Sequence, residues 1–248
     1  MHPAQASDST WRVITTWGAA PGFNMGLDEA LLEPGTVPTL RFYTWSPDTL
    51  SLGYFQRWED VPETSQAGAV VRRITGGGAI HHVGELTFSL AADADHDLFR
   101  GPVQRSYERI HAALVGALAV LGLRAGMRRD QAVQSDREGS GMCFHKSTPL
   151  DVVWDGAKGI GSAQRRSRGR VLHHGSIKMR STPLEGSIAT LAESGIDLDA
   201  ASLALEVRRA FARSLQLQLA AGVPSEIEIQ RARDLGQRYL EPEFLHRR

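Results

Sequence analysis

The sequence has a single cysteine and no surplus of charge of either sign. Its 248 residues contain one Cys, 28 Lys+Arg and 28 Asp+Glu. One thiol excludes an internal disulfide and a multi-thiolate metal site, which leaves inert packing, a reactive nucleophile or a redox sensor as its possible roles. A balanced charge gives no overall attraction to nucleic acid or to an anionic membrane, so a charged partner must be met by a local patch.

Long apolar runs are also missing. No stretch of the sequence approaches the ~20 apolar residues that span a bilayer, and the polar segment 1–10 has no signal-peptide core. We therefore expect a soluble, cytoplasmic protein without nucleic-acid or membrane partners. With 42% hydrophobic residues the chain can close one sizeable core, and we expect one domain over residues 1–248 and a monomer.

Strand patterns alternate with helical ones along the chain. Apolar alternation and β-branched residues predict strands over 11–17, 40–45, 49–54, 70–74, 85–91, 151–154, 158–164 and 171–179. Asp155-Gly156 is predicted to be the turn of a hairpin between two of these strands. Helical spacing predicts helices over 23–33 and 103–123 and, in a helical C-terminal portion from about residue 183, over 184–193, 200–218 and 227–239. Strands and helices in this order predict the α+β class, with a mixed β-sheet flanked by helices. The polar segment 128–141 is predicted to be a mobile loop or lid.

The strongest local motif is Arg72–His82, which reads RRITGGGAIHH and follows a predicted strand. Glycines let backbone N–H groups approach a carbonyl or a phosphate, and two arginines can pair with an anion. The spacing matches neither a Walker loop nor a dinucleotide-binding motif. A glycine triplet is as often a tight turn as a ligand loop, so both interpretations stay open here.

Cys143 and Lys158 are predicted to lie on neighbouring strands. A thiol reacts as its thiolate, which a nearby ammonium favours, and an acyl group on sulfur stays electrophilic toward an amine. The alternative is that Cys143 is a small buried hydrophobe and that Lys158, which follows a turn, is solvated.

Histidines and arginines form two further groups. The five histidines nearest the other motifs lack the spacing of metal ligands, so no metal site is predicted; they are His81, His82, His145, His173 and His174. Neighbouring histidines on a strand point to opposite faces, so one of each pair at most can enter a common site. The basic segment 165–170 is either a solvated turn or a docking patch for an acidic carrier protein.

Read together, the motifs resemble the biotin/lipoate protein ligase superfamily, over Trp11 to about Ser181. The motifs that carry the resemblance occur in the family's order and are FNMGLDEALL (23–32), LGYFQ (52–56), RRITGGG (72–78), ELTFS (85–89), KGIGSAQ (158–164) and HGSI (174–177). The cysteine shortly before the KGIGSAQ motif resembles the nucleophile of the LipM-type octanoyltransferases. The LipB-type enzymes place their cysteine after the HG motif, where this chain has none.

The resemblance implies the fold of a biotin/lipoate protein ligase catalytic domain and a role in lipoate biosynthesis. It implies an acyltransferase that moves an octanoyl group from acyl carrier protein, through Cys143, to a lysine of a lipoyl domain or of the glycine-cleavage H protein. The alternatives are an ATP-dependent lipoate–protein ligase, an octanoyl amidotransferase acting between lipoyl proteins, and a non-enzymatic accessory subunit of a ligase. Gly78 stands where octanoyltransferases often have arginine, and Val83 where aspartate commonly follows His82; both leave the acyl donor open.

The resemblance also implies the residues of the site. The expected catalytic residues are Cys143 as nucleophile, Lys158 as oxyanion partner, and Lys158 or His82 as the base for the acceptor lysine. The expected substrate-binding residues are Arg72, Arg73, Gly76, Gly77, Gly78, Ala79, Gly161, Ser162, Ala163, His174 and Gly175. Arg72 and Arg73 are expected to serve structure or to bind a carrier's phosphate. No cofactor is expected, and ATP with Mg²⁺ would be needed only by a ligase.

Overall fold

The computed structural model describes residues 10–247, so nearly all of the polar segment 1–10 lies outside the described residues. The strands are β1 (Trp11–Ala19), β2 (Thr39–Trp45), β3 (Thr49–Leu52), β4 (Ala69–Arg72), β5 (Ile80–His81), β6 (Glu85–Asp93), β7 (Gly126–Met127), β8 (Val152–Trp154), β9 (Ala157–Ser167), β10 (Arg170–Lys178) and β11 (Leu219–Ala221). The helices are α1 (Pro21–Ala30), α2 (Val103–Val120), α3 (Ala200–Ser214), α4 (Glu226–Arg238) and α5 (Pro242–Leu245). This is the predicted α+β architecture.

Eight strands form one mixed sheet in the order β11-β1-β2-β6-β10-β9-β8-β7. β1 pairs in parallel with β11 and β2, and the other neighbours are antiparallel. A small second sheet has the order β4-β3-β5. Helices α2 and α3 cover one face of the large sheet over the main hydrophobic core, while α1 and α4 pack on the other face. The small sheet lies on this second face, where Val71 of β4 packs with Met25 of α1.

The hairpin β8–β9 forms as predicted. Asp155 and Gly156 both have positive φ, 49° and 76°, which Asp-Gly tolerates in a tight hairpin turn. A register shift between Val152 and Val153 places Lys158 opposite Val153 and Ile160 opposite Val152. The shift leaves one extra residue in β9, so Lys158 and Ile160 point to opposite faces although they are two residues apart. Lys158, Gly161 and Ala163 face the small sheet, whereas Ile160 and Ser162 face α2.

The predicted helix over 184–193 is wrong, and the C-terminal portion becomes helical only at Ala200. Residues 183–199 instead run along the ends of two strands. Ala189 N–H donates to Lys158 O (3.1 Å) and Leu191 N–H donates to Lys178 O (3.1 Å). Backbone donors used for these long-range bonds cannot also form the i→i−4 bonds of a helix.

Candidate active site

Cys143 begins a short 3₁₀ turn that is joined directly to the glycine loop. Cys143 N–H donates to Ala79 O (2.7 Å), and Ala79 N–H donates to Gly141 O (2.8 Å). The cysteine itself is half-buried, whereas the next residue, Phe144, is fully buried. The sole thiol and the glycine loop are therefore held together as one unit.

Gly78 is a glycine because the cysteine segment approaches its α-carbon. A Cβ at Gly78 would lie 2.7 Å from Cys143 N and 2.8 Å from Gly141 O, too close for any side chain. Gly77 has φ +93°, in the region that favours glycine. The close approach predicted for this loop is thus made by the protein's own backbone at Gly78, where an arginine would displace Cys143.

Lys158 lies beside the thiol and is buried rather than solvated. Its Nζ is 3.5 Å from Cys143 Sγ, 3.0 Å from Cys143 O, 3.2 Å from Lys146 O and 2.9 Å from Asp151 Oδ2. Burial alone would lower the pKa of Lys158, but its electrostatic interactions with Cys143 and with the Asp151 carboxylate outweigh burial and raise it. Lys158 therefore keeps its proton at neutral pH, which suits it to stabilise negative charge and makes it a poor general base.

Gly161 leaves the space through which Lys158 and Cys143 meet. A Cβ at Gly161 would lie 2.9 Å from Lys158 Cε, 3.2 Å from Lys158 Nζ and 3.3 Å from Cys143 Sγ. Gly175, on the adjacent strand, would place a Cβ 2.8 Å from Gly161 O and 2.7 Å from the Phe88 ring. Gly161 therefore leaves the sheet flat beside the thiol, whereas Gly175 makes room for Phe88 on the opposite face, the side of α2.

A cavity of about 410 Å³ opens beside Gly161 and includes Cys143 in its wall. The predicted site residues that line it are Arg73, Gly76, Gly77, His82, Cys143, Gly161, Ser162, Ala163, His174 and Gly175. Residues that the sequence did not single out complete the wall, namely Met25, Tyr43, Trp45, Ser51, Ile80, Thr87 and Ser176. The cavity is thus lined largely by apolar and aromatic groups with the thiol at its edge.

Arg72 and Arg73 are anchors of the glycine loop. Arg73 donates to Ser51 O (2.9 Å), Gly76 O (2.8 Å) and Gly78 O (2.7 Å). Burial lowers the pKa of Arg73 to about 10, so it stays charged at neutral pH.

The guanidinium of Arg72 is surrounded by backbone carbonyls. It donates to Gly53 O (2.8 Å), Gln56 O (2.7 Å) and Phe244 O (3.1 Å). Arg72 is fully buried outside the cavity wall, contrary to the expectation that it contacts substrate. It ties the loop to the C-terminal helix, in keeping with the structural alternative given for it.

His82 lines the cavity, but both of its ring nitrogens are occupied. Nδ1 is 2.5 Å from Glu85 Oε1, Nε2 is 2.7 Å from Ser51 Oγ, and the ring stacks on Trp45 at 4.1 Å. Burial lowers the pKa of His82 to about 4 in spite of the Glu85 charge. The expectation that His82 removes the acceptor's proton is therefore not supported, since it offers no free lone pair and is a weak base.

The two histidines of the HG strand point to opposite faces, as predicted. His174 faces the cavity, with Nδ1 3.1 Å from Asp28 Oδ2 and Nε2 2.6 Å from Thr75 Oγ1. His173 faces α2, where it is fully buried against Tyr107. Because a carboxylate can only accept, Nδ1 of His174 carries the proton and Nε2 accepts from Thr75 in the neutral ring. His174 thereby anchors the start of the glycine loop.

A second buried lysine, which the sequence did not reveal, lies behind the site. Lys178 Nζ is 2.8 Å from Glu85 Oε2, 2.8 Å from Glu185 Oε2 and 2.7 Å from His81 O. Burial would lower the pKa of Lys178, but the two carboxylates raise it. Only the ELTFS motif hinted at this cluster, through its glutamate at a buried strand end.

Two other kinds of feature are absent from the described residues. Among residues 10–247, no group of three or more His, Cys, Asp or Glu side chains is placed to hold a metal ion. No helix in that same range is long and apolar enough to cross a membrane.

Comparison with known proteins agrees with this geometry. The model of the lipoyl protein ligase A/B catalytic domain matches residues 20–196. In structure the chain is similar to lipoate-protein ligase A bound with ATP (22% identity, TM-score 0.77, 96% of this chain and 98% of that one). It is equally similar to the bi-partite lipoate protein ligase of Thermoplasma acidophilum (22% identity, TM-score 0.75, 96% and 97%). The chain belongs to the lipoyl protein ligase A/B catalytic domain family, and the predicted fold is confirmed.

Sequence relatives narrow the class to an acyltransferase. The chain is 34% identical to the octanoyltransferase LipM of Moorella thermoacetica, over 96% of this chain and 98% of that protein. It is 33% identical to the octanoyltransferase LipM of Kyrpidia tusciae, over 96% and 99%. Likeness over the full length of both relatives confirms the prediction of an octanoyltransferase of lipoate biosynthesis.

Proposed function

We propose that the chain carries an octanoyl group as a thioester on Cys143 and passes it to a lysine of an acceptor protein. The observation that carries this proposal is the buried Lys158 ammonium, 3.5 Å from Cys143 Sγ at the edge of an apolar cavity. A thiolate beside a fixed positive charge is suited to attack a thioester. The apolar lining of the cavity suits an acyl chain next to that thiolate.

In the first half-reaction the Cys143 thiolate attacks the carbonyl carbon of an octanoyl thioester. A sulfur–carbon bond forms, and the carbonyl oxygen becomes an oxyanion that the Lys158 ammonium stabilises. The intermediate then expels the donor's thiolate and leaves octanoyl-Cys143. An octanoyl chain buries roughly seven carbons at about 0.8 kcal/mol each, so an apolar cavity contributes several kcal/mol to binding and favours medium-length chains.

In the second half-reaction the neutral ε-amine of an acceptor lysine attacks the octanoyl-Cys143 carbonyl. The tetrahedral intermediate expels the Cys143 thiolate, and the proton released by nitrogen passes to that sulfur, so the products are an amide and the free thiol. Lys158 again stabilises the oxyanion. Neither Lys158 nor His82 is required as a base in this scheme, which agrees with the raised pKa of Lys158 and the occupied nitrogens of His82.

The donor in this proposal is octanoyl-acyl carrier protein, and the acceptor is a lipoyl domain or the glycine-cleavage H protein. The reaction needs neither nucleotide nor metal, because a thioester is already activated for acyl transfer. The T. acidophilum ligase structure is described together with its E2 lipoyl domain, which supports a lipoyl-domain acceptor for this fold. We propose that the chain acts as a monomer in the cytoplasm.

Intact-mass spectrometry tests the covalent step. Incubation with octanoyl-carrier protein should add one octanoyl group to the wild type and none to Cys143→Ala, while Cys143→Ser keeps the size of the side chain as a matched control for folding. An adduct of the same mass on Cys143→Ala would overturn the proposal. Transfer to a lipoyl domain from isolated octanoyl-Cys143 enzyme then tests the second step.

An ATP-dependent ligase is the second candidate, favoured by the Gly76–Gly78 triplet and by the likeness in fold to an ATP-bound ligase. The same assay with octanoate plus ATP distinguishes the two functions. A ligase should modify the acceptor with ATP and retain its rate in Cys143→Ser. A transferase should depend on the thioester donor and lose activity in that variant. Octanoyl H protein as a third donor tests the amidotransferase, and stable partner binding without transfer from any donor would indicate an accessory subunit.

A further inference from the structure

Four arginines surround a groove next to the catalytic cavity. This arginine groove has an empty volume of about 780 Å³ and is lined by Arg165, Arg168, Arg231 and Arg238 together with Glu29, Glu33 and Ile74. Ile74 lies immediately before the glycine loop, so the groove and the cavity are separated by that loop. In a chain with no net charge, the groove is a local concentration of positive charge.

Two of the arginines are neutralised and two are not. Arg231 pairs with Glu33 (2.5 Å) and Arg238 pairs with Glu29 (2.7 Å). Arg165 and Arg168 have no carboxylate partner among residues 10–247; Arg165 instead lies 5.5 Å over the Tyr54 ring. The groove therefore carries two guanidinium groups available to an anion from outside.

Strand β9 connects this charge to the thiol. Every second residue of β9 points to the same face, which here carries Gly161, Ala163 and Arg165. Arg166 points to the α2 side and donates to Phe99 O (2.8 Å). Four residues of strand separate Gly161 from Arg165, a distance of about 13 Å. A ligand bound at Arg165 thus reaches Cys143 only through a long, thin arm.

Arg168 is held in an unusual backbone conformation. It has φ +52° and is followed by Gly169 at φ +75° in the turn between β9 and β10. The β8–β9 turn uses Asp155-Gly156, a pair that tolerates these angles. An arginine at the equivalent position adopts a conformation disfavoured for its residue type, and its side chain lines the groove.

We propose that the arginine groove docks the octanoyl donor, binding the phosphate of its prosthetic arm and acidic side chains of the carrier through Arg165 and Arg168. This inference rests on the proposed function. Guanidinium groups bind phosphate and carboxylate oxygens in pairs. The separation of about 13 Å selects the donor over the acceptor, because the four-carbon stem of an acceptor lysine is too short to span it.

The test compares two donors in the full-length enzyme. In Arg165→Glu/Arg168→Glu, the KM for octanoyl-carrier protein should rise on the order of tenfold or more with kcat nearly unchanged, and its dependence on salt should weaken. Acylation of Cys143 by octanoyl-pantetheine, which has neither phosphate nor protein, should be unchanged. Arg124→Glu/Arg213→Glu is the matched control, since both arginines are exposed near the opposite face, and it should leave the KM for both donors unaltered.

Three other outcomes would contradict either the docking surface or the proposed function. An unaltered KM for octanoyl-carrier protein in the groove variant overturns the docking surface. Normal acylation combined with slow transfer from octanoyl-Cys143 to a lipoyl domain also overturns it, because the groove would then serve the acceptor. A wild type that forms no Cys143 adduct with either donor overturns the function itself, a result that is distinguishable from the first two.

Discussion

The chain buries two lysines, Lys158 and Lys178, on the same side of its large sheet. The two differ in the groups that surround their ammonium groups. Both ammonium groups lie near the ring of Phe144, Lys158 at 5.5 Å and Lys178 at 4.8 Å, and both have a raised pKa. Lys178 is saturated by two carboxylates and one carbonyl. Lys158 has a single carboxylate, and its weakest contact is the thiol.

This difference separates the lysine proposed to act in catalysis, Lys158, from the one that serves the fold, Lys178. An ammonium has three donors, and those of Lys178 are all directed at strong acceptors. Lys158 has four acceptors within 3.5 Å for three N–H groups, so one N–H is shared between Lys146 O (3.2 Å) and the sulfur (3.5 Å) and can turn toward the sulfur or an oxyanion at the cost of one neutral carbonyl contact. Burial and charge are therefore common to both residues, while only Lys158 has an N–H that it shares with the thiol.

The largest effect on stability should come from Lys178. Lys178→Met leaves Glu85 and Glu185 buried without their counter-ion, and breaking such a pair costs about 3–5 kcal/mol of unfolding free energy. Urea unfolding at pH 7 measures this loss. Lys146→Met, which alters an exposed lysine, should change the unfolding free energy by less than about 0.5 kcal/mol. A small loss of unfolding free energy in Lys178→Met would contradict the structural role that distinguishes Lys178 from Lys158.

Lys158 should matter to the reaction rather than mainly to the fold. In Lys158→Met the oxyanion loses its charged partner, so we expect the single-turnover rate of Cys143 acylation to fall about 10²–10³-fold. Intact-mass sampling after rapid mixing measures the rate, and near-UV circular dichroism checks that the variant is folded. Acylation within fivefold of wild type would remove Lys158 from the mechanism.

Gly161 offers a way to alter the same contact without removing a charge. In Gly161→Ala the new methyl lies where Lys158 Nζ and Cys143 Sγ approach each other, and the displacement should slow acylation about tenfold. Gly175→Ala is the comparison, because its methyl meets the Phe88 ring and should instead cost about 1–3 kcal/mol of stability. Equal effects of both variants on acylation would contradict the assigned roles.

The smallest effect should follow from Asp151→Asn, and it should depend on pH. Asp151 helps to raise the pKa of Lys158, so the ammonium is fully present at low pH and is lost as pH rises through that pKa. Without the carboxylate the pKa falls and the alkaline limb of the pH–rate profile moves to lower pH. We expect a smaller decrease at about pH 7.5 than above about pH 9, because the ammonium is still present at the lower pH. An unshifted alkaline limb would show that Asp151 does not act through Lys158.

Much of the fold could be predicted from local pattern, and the exceptions have physical causes. Alternation along β10 placed His173 and His174 on opposite faces, and Asp-Gly marked the β8–β9 turn. The segment 184–193 has a helical pattern, but its backbone donors bond to Lys158 O and Lys178 O. A pattern within one segment carries no information about such long-range acceptors.

The residues of the candidate site also divide into those that the sequence predicted and those that it did not. Cys143, Lys158 and the glycine loop were predicted as a group, and the structure brings them together. Asp151 and Lys178 were missed, because an isolated Asp or Lys in a strand-rich sequence has no distinguishing neighbours. Arg72 was expected to contact substrate but binds carbonyls more than 170 residues further along the chain.

The sequence by itself determined the family, the class of fold and the candidate nucleophile Cys143, because ordered motifs and strand periodicity are properties of contiguous residues. Tertiary structure decided which charges act on that thiol. It placed Lys158 at the sulfur and Lys178 between two carboxylates, and, among residues 10–247, it left Arg165 and Arg168 without a carboxylate partner in a groove along β9. The physical reason is that the pKa of a charged group and the energy of its interactions depend on burial and on neighbouring groups. Both are set only when distant segments pack together.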